Sequence, residues 1–304
     1  MNNCFKIFSA PLQGYTDWAW RQAHHQVFGG VDGYFTPFVR VEHGQIRRHD
    51  LADVAPERNV GVPVVPQILA SPPEHVLLMA TTLRHLGYRR IDINLGCPFP
   101  PVALHHKGSG MMPYPIEVER MFQALATVQG ITWSVKMRLG WTDCHDWHAI
   151  LPLLSILHPC YVTLHARTGR EQYRAQIHID EFERFLYLCP CPVIANGDIR
   201  TLAQVAELQE HYPTLAGVMI GRAIVANPSL LVPERAVAAS YQQFHDLILS
   251  SYQSTLQGGE GQVLAKMKAL WQLMLPDAPH KLRKAIKKAR NLADYREAVA
   301  HILK

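Results

Sequence analysis

The feature that most constrains the fold is a regular alternation of short apolar, β-rich runs with helix-like segments. Eight such runs follow one another, at Lys6–Pro11, Tyr34–Val39, Val62–Leu69, Arg90–Leu95, Ile131–Met137, Cys160–His165, Pro192–Asn196 and Ala216–Ile220. Several are almost continuously hydrophobic, which is typical of parallel strands covered on both faces. The segments between them suit crossover helices, as at Pro73–Leu86, Pro115–Val128 and Leu202–Glu210. This pattern predicts an α/β protein with a (β/α)8 TIM barrel that closes near residue 230.

The strand pattern stops at about residue 234, and the rest of the chain is helix-like. The helix-like stretches run through Tyr252, Gln262–Leu275 and His280–Leu303, with interruptions at Gly258–Gly261 and Pro276–Pro279. We therefore predict two domains, a barrel over residues 1–233 and a small all-helical C-terminal domain over residues 234–304.

Positive charge is concentrated in the helical part. The chain of 304 residues carries a formal net charge of +5, whereas residues 262–304 alone hold ten Lys or Arg and three acids, a net +7. A basic segment of this kind fits a polyanionic partner such as a nucleic acid. A solvated helix face accounts for the charge equally well.

The composition excludes several classes of protein. A hydrophobic fraction of 48% with 18% charged residues argues against disorder. No run approaches the ~18 apolar residues of a membrane span, and the first residues do not form a secretory signal, so we expect a cytoplasmic protein without membrane contact. The six cysteines form no C-x-x-C pair, and we predict neither a disulfide framework nor a metal site. Cys189 and Cys191, placed on one face of a strand, are expected to be packed free thiols, with a metal-binding pair as the alternative.

Nearly every predicted strand ends in a hydrogen-bonding group, at the edge of the barrel where active sites lie. These groups are Gln13, Gln67, Asn94, Lys136, Arg138, His165, Arg167, Asn196, Asp198 and Arg222. Barrels often bind phosphate after their last two strands, where glycines let backbone N–H groups approach the ligand. Asn196-Gly197-Asp198 and Gly221-Arg222 therefore predict a phosphate site, with two ordinary tight turns as the alternative.

Cys97 and Lys136 are further candidates for chemistry. Cys97 lies between Gly96 and Pro98 just past a strand, where a thiol can donate a proton or attack an electrophile. A buried structural cysteine is the alternative. Lys136 ends an apolar strand, and inside a barrel its charge needs an anionic partner. An electron-rich cofactor edge would serve, and a salt bridge with Asp92 is the alternative.

Taken in order, the motifs of this chain resemble those of the tRNA-dihydrouridine synthases from residue 6 to about residue 230. They are A-P-L-Q-G, V-P-Q-I-L, D-I-N-L-G-C-P, K-G-S-G, V-K-M-R-L-G-W, L-H-A-R-T, I-A-N-G-D-I and I-G-R. The helical segment fits that family's C-terminal domain. The stretch Phe35–Val41 (F-T-P-F-V-R-V), together with V-K-M-R-L-G-W, is similar to the bacterial C-type subgroup, which acts on uridine 16 of the D-loop.

The resemblance implies an FMN- and NADPH-dependent enzyme that reduces a D-loop uridine of tRNA. It implies flavin contacts from Pro11, Leu12, Gln13, Gln67, Lys136 and His165, with Gln67 on the pyrimidine edge and Lys136 near N1 and O2. It implies a phosphate cradle formed by Asn196, Gly197, Asp198, Gly221 and Arg222. The uridine or its phosphate would be contacted by Asn94, Arg138, Arg167 and Arg40, and Cys97 matches the family's catalytic cysteine.

The chemistry implied is a hydride transfer from N5 of the flavin to C6 of uracil, with a proton from Cys97 to C5. Because the thiol must then be protonated, we predict that its pKa is unperturbed or raised. The target base has to leave its stack to reach the flavin. The basic helical domain would hold the tRNA backbone through salt-sensitive contacts, and we expect a monomer without an obligate protein partner.

The sequence departs from the family at two places, and two rival functions remain. Basic residues are usual where this chain has Phe99–Val102, and methionine is usual at Leu12. One rival is an FMN-dependent barrel oxidoreductase acting on a small pyrimidine, similar to the dihydroorotate dehydrogenases, which would not need the basic segment. The other is a non-catalytic RNA-binding barrel, which would not need Cys97, Lys136 and His165.

Overall fold

The computed structural model describes residues 5–303, and within them eight parallel strands form one closed sheet. In chain order they are β1 Lys6–Ser9, β2 Gly33–Phe35, β3 Val64–Val65 with Gln67–Leu69, β4 Arg90–Leu95, β5 Thr132–Gly140, β6 Val162–Thr168, β7 Val193–Asn196 and β8 Gly217–Ile220. Strand β8 pairs with β1, and β3 pairs with β2 before Pro66 and with β4 after it. Pro66 interrupts the strand because it has no N–H to donate. The predicted TIM barrel is confirmed, since each observed strand overlaps its predicted run.

Helices cover the barrel between successive strands. They are α1 Trp18–Val27, α2 Arg48–Asp53, α3 Pro73–His85, α4 Pro100–Ala103, α5 Pro115–Ala126, α6 Trp147–Ile150, α7 Leu154–Leu157, α8 Ile179–Leu188, α9 Leu202–His211 and α10 Arg222–Ala226. The three predicted crossover helices are confirmed as α3, α5 and α9. Helices α3 and α5 begin with a proline, whose missing N–H costs nothing in a first turn. The Thr201 hydroxyl caps α9 by accepting the N–H of Gln204 at 3.1 Å.

Strands β4, β5 and β6 alternate polar and apolar residues, and this alternation separates the site from the core. Ile91, Val135 and Leu164 belong to the main apolar core. The residues between such positions form pairs across the ladder, Gln67 with Asp92, Asn94 with Lys136, and Arg138 with His165. Successive side chains of a strand point to opposite faces. The polar set therefore lies on the face opposite the core side chains.

A separate apolar cluster joins strands β1, β2, β3, β7 and β8. It is formed by Phe8, Ala10, Phe35, Val65, Ile194, Ala216 and Met219, with Tyr161 packed against it. The ring centroids of Phe8 and Phe35 are 5.3 Å apart in an edge-to-face arrangement. This cluster packs five strands of the barrel against one another.

The region after the barrel is helical, as predicted, and consists of α11 Ala238–Thr255, α12 Gly259–Leu270, α13 His280–Lys288 and α14 Leu292–Ile302. Several boundaries differ from the predicted ones, and α12 ends at Leu270 rather than at Leu275. The stretch predicted over His280–Leu303 is two helices, because Ala289 is extended and the Asn291 side chain caps α14 through the N–H of Asp294 at 2.8 Å. Helix α12 begins at Gly259 rather than at Gln262, so that the glycine-rich segment forms its first turn.

The helical region packs on the first helix of the barrel. Phe244 of α11 lies edge-on to Trp20 and to Phe28. The hydroxyl of Tyr252 donates to the Asp17 carboxylate at 2.8 Å, and Lys266 pairs with the same carboxylate at 3.0 Å. An apolar contact and a buried polar contact thus both hold α11 and α12 against the barrel.

The predicted free thiols are confirmed, but their setting is not a strand. Cys189 follows the last residue of α8, and Cys191 precedes β7, so both lie in the connecting loop. Both are partly buried free cysteines packed against the core. Of the residues considered above, Cys4 and Lys304 lie outside the described part of the chain. Within residues 5–303, no helix is both long and apolar enough to cross a membrane.

Candidate active site

A cavity of about 1420 Å³ opens at the carboxyl ends of the barrel strands. Gln272, Leu273 and the segment Pro276–Pro279 of the helical region line one side of it. The barrel side includes every predicted site residue except Arg167, namely Pro11, Leu12, Gln13, Arg40, Gln67, Asn94, Cys97, Lys136, Arg138, His165, Asn196, Gly197, Asp198, Gly221 and Arg222. The structure therefore brings residues from all eight strands, or from the loops that follow them, to one cavity.

A chain of side-chain hydrogen bonds runs from inside the barrel to the Cys97 loop. The fully buried Asp92 accepts a bond from Nε2 of Gln67 at 2.7 Å and one from the Ser134 hydroxyl at 2.6 Å. Oε1 of Gln67 accepts from Nδ2 of Asn94 at 2.7 Å. Oδ1 of Asn94 then accepts the backbone N–H of Cys97, also at 2.7 Å. Each bond fixes the orientation of the next amide, so the chain positions the Cys97 loop.

These hydrogen bonds give Asn94 a positioning role that was not predicted from the sequence. Its side chain is buried, and both ends of its amide are bonded within the protein, to Gln67 on one side and to the N–H groups of Gly96 and Cys97 on the other. Asn94 also lines the cavity, so it positions the loop that carries the thiol, and the predicted uridine contact stays a prediction.

The carboxyl group of Asp92 predicts a measurable pH effect. Burial raises its pKa to about 6, although the hydrogen bonds from Ser134 and Gln67 favour the charged form. A carboxyl whose pKa is higher in the folded chain loses its stabilising contribution as the pH rises through that value. We expect Asp92→Asn, which is neutral at every pH, to raise the free energy of unfolding by about 3 kcal/mol at pH 8 and by about half as much at pH 5. Urea unfolding at the two pH values measures the difference, and an equal difference at both would contradict the assignment.

The K-G-S-G segment, residues 107–110, also holds the Cys97 loop in place. The Ser109 hydroxyl donates to the carbonyl of Cys97 at 2.7 Å. Gly108 has φ +56°, and a Cβ on it would lie 2.8 Å from Cβ of Cys97. Only glycine combines this backbone conformation with so close an approach.

We therefore expect Gly108→Ala to displace the thiol. Turnover should fall by about 10-fold or more, because a small misplacement of a reacting group is costly. The matched control is Gly130→Ala, where φ is +77° and a Cβ would meet nothing within 4 Å. Both variants carry a strained backbone that lowers the unfolding temperature, but only the first should lose activity. Equal turnover in the two variants would contradict this account.

The Cys97 thiol is protonated at neutral pH. Burial raises its pKa, against the opposing influence of the Phe99 N–H and of the nearby cations Arg138, Lys136 and Arg40. The prediction of an unperturbed or raised pKa is confirmed. A buried protonated thiol on a cavity wall can give up a proton to a group with developing negative charge.

Lys136 faces the same cavity without an acidic partner. Its ammonium donates to Oδ1 of Asn196 at 2.9 Å, and among the ion pairs of residues 5–303 it forms none with Asp92, so that alternative is wrong. Burial and the neighbouring Arg138 lower its pKa to about 8. A partly buried cation that bonds only a neutral amide suits an anionic ligand group.

His165 is neutral, and its proton can be located. Burial and the surrounding cations lower its pKa well below the usual value. Nη1 of Arg167 contacts Nε2 of the imidazole at 3.0 Å, and a guanidinium can only donate. Nε2 is therefore the acceptor, and Nδ1 carries the proton.

Arg167 lies behind the site rather than in it. Its side chain is buried, it does not line the cavity, and its donors bond His165, the carbonyl of Ala175 and the carboxylate of Asp198. The expected uridine contact is therefore corrected to a positioning role. Burial would raise the pKa of Asp198, but Arg167 and Arg222 hold it below its usual range.

The predicted phosphate cradle contains a carboxylate. Arg222 donates to Asp198 at 3.0 Å, so the charge of the arginine already has a partner. Gly197 has φ +120°, and a Cβ on it would lie 3.0 Å from the His165 ring. A phosphate here would use Arg222 from the other side and the glycine backbone rather than the Asp198 side chain.

Tyr173 is a site residue that sequence reasoning missed. It lines the cavity and lies against two guanidinium groups, 4.4 Å from that of Arg222 and 5.4 Å from that of Arg138. Arg138 donates to the carbonyls of Gly96, Thr168 and Gln172, and so joins the Cys97 loop to the loop after β6. No motif marks Tyr173. The polar alternation of R-I-D-I-N-L, by contrast, was a readable signal for the interior Asp92.

A group with metal-ligand chemistry lies outside the cavity. Asp143, Cys144 and His145 place one ligand atom each within 4.8 Å of one another, and within residues 5–303 no other such group occurs. The Asp143 carboxylate accepts the backbone N–H of His145 at 2.9 Å and contacts its ring at the same distance. These bonds are those of an ordinary turn closed by an aspartate, and we assign no metal to it.

Sequence comparisons with a family profile and with individual proteins all match dihydrouridine synthases. The dihydrouridine synthase (Dus) family profile matches residues 8–302. A probable tRNA-dihydrouridine synthase 2 of Bacillus subtilis is 32% identical over 230 residues, which is 72% of this chain and 69% of that protein. A tRNA-dihydrouridine(16) synthase of Cupriavidus necator is 31% identical over 76% of this chain and 74% of its own. One of Vibrio vulnificus with the same name is 26% identical over 98% and 96%.

Comparison of structures agrees on the barrel. An old yellow enzyme of Trypanosoma cruzi superposes with a TM-score of 0.51 at 11% identity, over 76% of this chain and 87% of its own. A morphinone reductase superposes with a TM-score of 0.51 at 10% identity, over 74% and 84%. At such identities the likeness concerns the fold alone.

Proposed function

Because the chain belongs to the dihydrouridine synthase family, we propose that it reduces a uridine of tRNA to 5,6-dihydrouridine with a flavin cofactor. The family profile covers nearly all described residues, and the relatives include tRNA-dihydrouridine(16) synthases at 31% identity. The proposal extends to uridine 16 as the target and to NADPH as the reductant.

One observation in the structure carries this proposal. The protonated thiol of Cys97 and the ammonium of Lys136, which has no acidic partner, line the same cavity at the strand ends of a TIM barrel. A reduction of a carbon–carbon double bond needs a proton donor and a site that stabilises negative charge. These two groups supply both.

The residues present fit FMN. The cavity volume of about 1420 Å³ exceeds that of an ordinary small-molecule site, so a flavin ring and a nucleoside have room together. We assign Lys136 to the pyrimidine part of the ring and Pro11, Leu12, Gln13 and His165 to contacts along it. Gln67 lines the same cavity, and we assign to the pyrimidine edge the second N–H of its Nε2, which Asp92 does not use. Asn196, Gly197, Gly221 and Arg222 would hold the phosphate, with Asp198 orienting Arg222. When bound, FMN supplies the hydride that adds to C6 of the uracil.

The protein's own groups complete the reaction. Addition at C6 leaves the electron pair of the former double bond at C5 and its neighbouring carbonyl. The Cys97 thiol donates its proton to C5, forming the second new C–H bond, and the thiolate left behind lies near Arg138 and Lys136. These cations stabilise the thiolate until a proton from solvent restores the thiol.

The helical region is proposed as the platform for tRNA, with the domain boundary at residue 234. Helix α13 begins directly after Pro276–Pro279, which line the cavity. The first turn of the helix, with Lys281, therefore lies at the rim of the cavity. Lys281, Lys284, Lys287 and Lys288 are all exposed on it. Not all the basic residues are available, since Lys266, Lys268 and Arg283 bond other parts of the protein. We further propose that the enzyme acts as a monomer in the cytoplasm.

The decisive experiment is anaerobic and spectroscopic. The purified protein should show flavin absorption that bleaches with NADPH and returns when tRNA lacking dihydrouridine is added. Bleaching that ignores tRNA but reverses with a free pyrimidine would replace the proposal with a small-molecule flavoenzyme. A protein that takes up no FMN on reconstitution would instead indicate a non-catalytic RNA-binding barrel.

A further inference from the structure

Phe99 is an exposed aromatic residue at the rim of the active-site cavity. It lines the cavity two residues after Cys97, and its side chain is 58% exposed. Among the ring pairs of residues 5–303, it stacks on no other aromatic side chain. An aromatic ring left this open beside a catalytic group offers a free π-face to a ligand.

The backbone holds this ring in place. Pro98 precedes Phe99, and Pro100 and Pro101 follow it and open helix α4. A residue before proline is restricted to extended conformations, and Phe99 has φ −68° and ψ 118°. Its carbonyl accepts the N–H groups of Val102 and Ala103 at 2.8 and 3.0 Å. The ring is thus presented on a fixed backbone, and little conformational entropy is lost when it binds.

The surroundings favour a nucleobase as the occupant. Arg40 and Arg200 line the same cavity, and Arg200, which lies 3.8 Å from Asp198, keeps 70% of its side chain exposed toward solvent and a phosphate backbone. A uridine that enters the cavity must leave its stack, and its neighbour in the strand then loses one stacking partner. Aromatic side chains replace such contacts without regard to sequence, because every base has a π-face.

We propose that Phe99 stacks on the nucleobase adjacent to the target uridine and so stabilises the extruded state. This inference rests on the proposed function, and it assigns Phe99 a role in substrate binding. Phe99 is a binding residue for the flanking base and takes no part in the hydride or proton transfer.

The test compares variants that separate stacking from apolar bulk. We expect Phe99→Ala to lower kcat/KM for tRNA by about 10-fold, mainly through KM, while reduction of the flavin by NADPH is unchanged. Phe99→Trp should keep the wild-type value, and Phe99→Leu should behave like alanine because leucine has no π-face. The matched control is Leu104→Ala, since Leu104 is 64% exposed on the same loop but does not line the cavity.

The outcomes distinguish this inference from the proposed function. If tRNA does not reoxidise the reduced wild-type flavin, the proposed function is wrong. If it does, and Phe99→Ala matches wild type or Phe99→Leu matches Phe99→Trp, the stacking role is wrong. A tRNA with 2-aminopurine beside the target uridine gives an independent readout. Its fluorescence should be quenched on binding to the wild type and less quenched with Phe99→Ala.

Discussion

Replacing Cys97 with alanine is expected to lower tRNA turnover by about 100- to 10,000-fold, the range for loss of a general acid. The Cys97 thiol lines the cavity two residues before Phe99 at the rim. Because burial raises its pKa, the thiol carries the proton that it is proposed to donate. Because its N–H rather than its sulfur joins the hydrogen-bond chain from Asp92, the alanine variant keeps the loop in place. Flavin content and tRNA affinity should therefore match those of the wild type.

The measurement is single-turnover reoxidation of the reduced flavin by tRNA, with the flavin spectrum as a check on folding. Cys160→Ala is the matched control, because Cys160 is also a partly buried free thiol but does not line the cavity. Cys97→Ser should retain part of the activity, because its hydroxyl can still donate a proton. The rate should be lower than in the wild type, because a hydroxyl is a weaker acid than a thiol. Wild-type rates in Cys97→Ala would remove the thiol from the mechanism.

Reversing the charge of Lys284, Lys287 and Lys288 to glutamate is expected to weaken tRNA binding about 100-fold at low salt. These lysines are exposed on α13, which starts beside the cavity rim. Each contact with a phosphate releases a counterion, so the slope of log Kd against log salt should fall by about 2 to 3. Reduction of the flavin by NADPH should not change, because none of the three lysines lines the cavity.

The control carries the same change of charge on another face of the protein. Arg89, Arg90 and Arg120 are exposed near the start of β4 and on α5, and none lines the cavity. Their reversal to glutamate should leave the salt slope nearly unchanged. Equal weakening by both triple variants would mean that net charge, and not α13, governs binding.

The barrel could be predicted from local pattern because each strand is a distinct apolar run between turn signals. The strand Arg90–Leu95 was predicted to the residue, and the others to within a few positions. The break in the last helical stretch was missed. Asparagine occurs in many positions of a sequence, so Asn291 alone does not indicate the start of a helix until its side chain is seen to accept the N–H of Asp294. The interior Asp92 was readable from the alternation of its strand, but it was considered only as a partner for Lys136.

The order of the strands and the set of polar residues at their ends are properties of neighbours along the chain, so they could be predicted from the sequence alone. The hydrogen-bond partners of those residues, and which of them line the cavity, depend on the folded barrel. Asn94 and Arg167 lie near strand ends as the other candidates do, yet their donors bond to groups remote in sequence, Gln67 and Asp198, and Arg167 does not line the cavity. The hydrogen-bond partners of a polar side chain depend on the closure of the barrel, which brings together strands that are far apart in the chain. The raised pKa of Cys97 follows from the same closure, because only the assembled walls exclude the water that would stabilise its thiolate.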